Sequence, residues 1–176
     1  MGLEVTLRGA ETAKRTVLEA LLQTGRDLLA RLSAHADRDL KVFDAFMRAR
    51  SLPQGSEDEK AARREKMQRA LVAATEVPLA AGRDIVAALD LSRRVIEICK
   101  PQVLGDVAAG ADLLAGSFTA VLRSVDANLP GIAGGPLRTR LEEERTALVA
   151  AAAQDAAAAQ VAAAAQVAIE VRRQRT

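Results

Sequence analysis

The 176-residue chain contains no tryptophan, no tyrosine, three phenylalanines, one cysteine and one histidine. Apolar residues nevertheless make up 49% of it against 2% aromatic, so any core must be built from Leu, Val, Ile and Ala, side chains that suit closely packed helices. Nucleic-acid recognition lacks both of its usual supports: aromatic stacking platforms are missing, and the 25 basic and 23 acidic residues nearly cancel to a net +2. No nucleic-acid partner is expected. The lone Cys99 has no partner for an internal disulfide, fits a reducing compartment and reads as a buried, inert thiol. The single His35 rules out a multi-histidine metal centre within one chain, and with no P-loop, dinucleotide fingerprint or Cys cluster, neither a metal nor a cofactor is expected. The first thirty residues have no continuous apolar run of the signal-peptide kind. The uncharged stretch AAAQDAAAAQVAAAAQVA is broken by Asp155 and is mostly alanine, which contributes little to membrane insertion. The expectation is a cytoplasmic protein with no membrane partner.

What the chain has in abundance is helical periodicity. Between about residues 10 and 50, Leu18, Leu21, Leu22, Leu28, Leu29, Leu32, Leu40, Phe43, Phe46 and Met47 recur mainly at spacings of three and four. A helix of that extent is about 60 Å long, which points to a bundle. Pro53 and Gly55 end it, and Ser56 followed by Glu59 predicts a capping box opening a second helix that runs toward Cys99. Pro78 lies inside this helix and predicts a kink or a short break, which either bends the helix around the core or frees carbonyls to open a pocket wall. After KPQVLG, residues 106–128 are apolar almost all round, so this third helix is expected to be central. LPGIAGGP separates it from a fourth helix opening at Pro136 and running to about residue 172. The fold class expected is all-α, an up-and-down bundle of about four long helices, the second kinked at Pro78. Residues 1–176 form a single domain whose residues 150–176 are an Ala-rich helical extension.

Three stretches then look familiar in order and spacing: DRDLKVFDAFMRARSLP at 37–53, EDEKAARREKMQRAL at 57–71 and ATEVPLAA at 74–81. Together they resemble the cyclodeaminase and methenyltetrahydrofolate cyclohydrolase family, over roughly residues 37–132. The resemblance implies an all-helical homodimer acting on a one-carbon unit carried by a tetrahydrofolate-type pterin, as a cyclohydrolase or cyclodeaminase acting on a cyclic amidine C–N bond. It implies a folate-like small molecule as ligand. Three departures accompany it. The chain opens MGLEVTLRGAETAKR, so the family's glycine-rich first helix is expected to be lacking. KPQVLGD keeps Pro101 and Asp106 of a longer polar motif, and LRSVDAN keeps Asn128 but has Ser124 at the other polar position. A non-catalytic relative serving as a dimerisation or regulatory partner is the competing expectation.

Hydrolysing a methenyl bridge requires a group that handles a proton and a site that stabilises a tetrahedral intermediate. By the resemblance Asp106 is the candidate catalytic acid-base residue, in a cleft near the start of the third helix; as an ordinary helix residue it would serve as an N-cap. Asp39, Phe43, Met47 and Asn128 are the candidate substrate-binding residues. Phe43, Phe46 and Met47 suit either a flat pterin ring or the core, and His35 with Asp39, four residues apart, suits either an acid-base pair or a surface ion pair. Arg93 and Arg94 would meet a folate's glutamate tail or simply be solvated.

Overall fold

The structure is a computed structural model that describes residues 12–173. The breakers read from the sequence fall where the chain turns. Four helices result: α1 (Thr12–Arg50), α2 (Glu57–Ile98), α3 (Leu104–Asn128) and α4 (Pro136–Arg173), with short 3-10 turns at Pro101–Val103 and Leu129–Gly131. The described residues contain no strand, and the all-α bundle of four long helices is what stands. The expected loss of a glycine-rich opening concerns residues outside the described ones.

The start of α2 shows why it begins where it does. Glu59 N–H donates to Ser56 Oγ at 3.2 Å while Glu59 Oε2 accepts from the Ser56 and Gly55 amides at 3.0 and 2.7 Å. These bonds satisfy amides that have no intrahelical acceptor, and Glu57, Asp58 and Glu59 complement the positive end of the helix dipole. Once started, α2 runs through Pro78 as a single helix, so the break into two shorter helices does not occur.

The central helix is α2, not α3. It packs against α1, α3 and α4, whereas α1 makes its extensive contacts with α2 alone. The main core joins Leu79, Ile85, Leu89 and Ile96 of α2 to Phe118, Leu122 and Val125 of α3 and to Leu141 and Leu148 of α4. Each large side chain buried there is worth about 1.5–3 kcal/mol. The expectation for α3 fails for a physical reason. Its apolar circumference is made largely of Gly and Ala, so one side lacks the bulk that burial requires. A Cβ added at Gly105, Gly110 or Gly116 would meet nothing within 4 Å, and Leu113 is 74% exposed.

Polar contacts set the register of α4. Arg140 Nη2 donates to Glu76 at 3.0 Å, Arg145 grips Asp126 through two nitrogens at 2.9 and 3.1 Å, and Arg83 pairs with Glu144. These pairs are largely exposed and contribute orientation more than stability. The turn from α3 to α4 is pinned to α2 by Gln68, whose Nε2 donates to Gly131 O and whose Oε1 accepts from Ala133 N–H, both at 2.8 Å. A Cβ at Gly131 would lie 2.8 Å from Leu71 Cδ2, so that side chain would have to shift, whereas Gly135 is required by its φ of +143°. By length and composition alone, segments Pro101–Gly131 and Pro136–Val171 are long and apolar enough to cross a membrane.

Candidate active-site groove

Because α1 and α3 both lean on α2 without packing extensively on each other, a gap opens between them on one side of the bundle. It is a groove of about 280 Å³. Helix α1 contributes Asp39, Val42, Phe43 and Phe46, α2 contributes Leu71 and Ala74, and α3 contributes Ser124, Ala127 and Asn128. Three segments distant in sequence, two of them carrying the blocks singled out above and the third carrying LRSVDAN, therefore meet at one place. One wall is apolar and aromatic. The other carries a hydroxyl and an amide, and Asp39 adds a carboxylate at the rim.

Pro78 explains how one of these polar groups is held. A proline has no N–H, so the carbonyl four residues earlier loses its intrahelical donor. That carbonyl is Ala74 O, and Asn128 Nδ2 donates to it at 3.0 Å. A carbonyl only accepts, so it fixes which end of the Asn128 amide faces α2 and leaves Oδ1 as an acceptor on the groove side. Without this bond a half-buried carbonyl would go unpaired, at a cost of about 1–3 kcal/mol. The carbonyl that Pro78 frees is thus taken up by a residue of the groove wall. The neighbouring Thr75, fully buried, returns its hydroxyl to Leu71 O at 2.9 Å.

The sequence resemblance is confirmed by comparison. Residues 1–147 match the formiminotransferase-cyclodeaminase family. The chain belongs to that family. Over 128 residues it is 38% identical to the methenyltetrahydrofolate cyclohydrolase of Methylorubrum extorquens, a match covering 73% of this chain and 60% of that protein. The chain therefore spans less than two thirds of this relative's length. The crystal structure of formiminotetrahydrofolate cyclodeaminase from Thermotoga maritima superposes with a TM-score of 0.81 at 21% identity, covering 95% of this chain and 80% of that one. The two share a fold.

Against this cyclodeaminase frame, the expected site residues separate. Asp39, Phe43 and Asn128 come together in the groove. Phe43 is 57% exposed and Met47 is exposed too, so neither is a core residue; Met47 lies outside the groove lining, one turn further along α1. Asp106 is not in the groove. It sits exposed in the first turn of α3, where the N-cap is Val103, so it is not the N-cap, and it lines neither the groove nor the pockets beside Cys99 and Leu52. The 22 residues between it and Asn128 correspond to about 33 Å of helix. His35 and Asp39 do not form a pair. His35, 7% exposed, turns inward and places Nε2 2.9 Å from Asp84 Oδ2, while Arg31 Nε donates to Asp84 Oδ1 at 2.9 Å. Burial alone would push the Asp84 carboxyl up, but the hydrogen bonds and charges of His35 and Arg31 outweigh it and hold the pKa below the ordinary value. Arg93 and Arg94 are occupied at the far end of α2, Arg93 with Asp90 at 2.6 Å and Glu97 at 3.2 Å, Arg94 with Asp90 at 3.9 Å. Cys99 is half-buried, and burial pushes its thiol pKa up, as an unreactive thiol requires.

Sequence reasoning missed Val42, Leu71, Ala74 and Ala127 as groove residues. The signal for Ala74 was present: it is the residue four before Pro78, in a chain where a carbonyl so freed needs a side-chain donor.

Proposed function

We propose that the groove binds a tetrahydrofolate-type pterin carrying a one-carbon unit and that the protein acts on an amidine C–N bond of that unit, opening the ring by hydrolysis as a methenyltetrahydrofolate cyclohydrolase does, or closing it with loss of ammonia as a formimidoyltetrahydrofolate cyclodeaminase does. The observation that carries this reading is the convergence of Asp39, Phe43 and Asn128 on one groove in a chain of this family. A flat bicyclic ring matches the Phe43 and Phe46 wall, and its N–H groups match the acceptors Asn128 Oδ1 and Asp39. In the cyclohydrolase case, water oxygen bonds to the methenyl carbon and gives one proton to a carboxylate. The carbon–N5 bond then breaks with its electron pair staying on N5, which takes that proton, while the second water proton leaves to solvent as the formyl carbonyl forms. The proposal places the protein in the cytoplasm as a homodimer that requires neither nucleic acid nor membrane, with no resident cofactor.

The test is to follow loss of the near-ultraviolet absorbance of methenyl-tetrahydrofolate with and without protein. Faster decay with protein, slowed in an Asn128→Leu variant, is expected; equal rates would sink the cyclohydrolase reading. One observation favours the second reading, a non-catalytic partner: Asp106 lies far from the groove of its own chain. That reading predicts a stable dimer that binds folate without turnover.

A further inference from the structure

Asp106 is the acid-base residue that the sequence resemblance implies, yet among the described residues of its own chain it is exposed. The outward face of α3 says where it belongs. At 3.6 residues per turn, Gly105, Ala109, Gly116, Ala120 and Ala127 fall on one stripe directed away from the bundle core, with Leu113 in its middle. The small side chains allow another helix to approach closely, and among the described residues they are exposed. Polar residues flank the stripe in a self-complementary pattern. On one flank Asp106 precedes Ser117 by eleven residues and Asn128 follows it by eleven. On the other flank Asp112 precedes Ser117 by five residues and Arg123 follows it by six. Arg123 is exposed and has no ion-pair or hydrogen-bond partner among the described residues.

A two-fold axis through the middle of α3, normal to the plane of two antiparallel copies, keeps each flank on its own side and exchanges the helix ends. It sets the partner's Asp106 beside Ser124 and Asn128 at the groove mouth and the partner's Asp112 opposite Arg123. We propose that a second copy of this chain packs antiparallel along α3 and that its Asp106 supplies the carboxylate that takes the proton from the attacking water, leaving Asp39 to hold the ligand. This rests on the folate reading of the groove, and each groove is then incomplete without the other chain.

Two experiments decide this, and the first does not depend on activity. Sedimentation should show a dimer whose dissociation constant rises roughly tenfold or more in Arg123→Glu and in Asp112→Arg, where like charges face each other, and returns toward the original in the double exchange. Asp112 also accepts from Gln160 at 3.3 Å on the surface. Asp112→Arg and the double exchange both remove that hydrogen bond, so rescue isolates the intermolecular pair. A monomer, or a dimer indifferent to all three changes, would overturn the interface. The second experiment co-expresses Asp106→Asn with Asn128→Leu, and separately with the exposed Asp39→Asn. Each parent should be depressed, Asp106→Asn by about 10²–10⁴-fold in kcat. Half of randomly paired dimers are mixed and hold one intact site of two, so about a quarter of the original activity should return. No recovery, with the dimer intact, would show that Asp106 does not act in the partner's groove and would overturn the proposal. A wild-type protein inactive on folates would fail the functional reading instead, and the charge exchange would still decide the interface.

Discussion

Two polar clusters lie one helical turn apart on α1 and have opposite characters. His35 faces inward and is bonded to Asp84, which is bonded in turn to Arg31. Asp39, one turn later, faces a groove with Ser124 and Asn128. In the first cluster each carboxylate oxygen has a partner across the seam between α1 and α2, while His35 Nδ1 is buried without one among the described residues. In the second, polar atoms point into an open cavity beside exposed aromatic surface. Groups paired with one another across a helix seam hold a fold together, whereas polar groups along a concave apolar wall remain available to a ligand. The same helix therefore serves as strut at one turn and as wall of the site at the next.

The comparison can be broken by substitution. Asp84→Ala strands His35 and Arg31 and should cost about 2–4 kcal/mol of stability in urea denaturation while leaving ligand affinity unchanged in the folded fraction. A large affinity loss at equal folding would merge the two clusters. Asn128→Leu should cost less, about 1–2 kcal/mol, from the unpaired Ala74 carbonyl, but should weaken folate binding at least about tenfold. Phe43→Ala should barely move stability, within about 0.5 kcal/mol, because its side chain is already largely exposed; its effect should appear as a several-fold rise in KM. Smallest of all at neutral pH is the sharpening by acid. Asp84 is held below its ordinary pKa in the folded protein, so its stabilisation is present above the ordinary carboxylate value near 4 and is lost as pH falls through the lower folded value. The stability difference between wild type and Asp84→Asn should shrink across that window and stay flat above it; a difference that grows toward acid would contradict the arrangement.

Much of the architecture could be read from breakers and periodicity. Pro53, Gly55, Ser56, Pro101 and Pro136 mark helix ends by mechanisms that operate within a few residues. The identity of the central helix could not be read this way. Apolar character counts Gly and Ala as core formers, but packing needs volume, and the Leu and Ile of α2 supply it where the small residues of α3 do not. The groove was half legible. Asp39, Phe43 and Asn128 could be chosen from motif positions, and Pro78 foretold a freed carbonyl. That Asn128 would meet that carbonyl depends on helices 54 residues apart in sequence, and the pairing of His35 with Asp84 across 49 residues is likewise invisible to local spacing. Asp106 was chosen by motif, and among the described residues it stands exposed at the start of α3, away from the groove.

The central claim is that the seam between α1, α2 and α3 is a folate site. Calorimetric titration of 5-formyltetrahydrofolate, a stable analogue of the proposed carriers, into wild type, Phe43→Ala, Asn128→Leu and Asp84→Asn tests it most directly. The account predicts saturable binding to wild type and Asp84→Asn with affinity reduced about tenfold or more in both groove variants. Equal binding by all four proteins, or none by wild type, would contradict it.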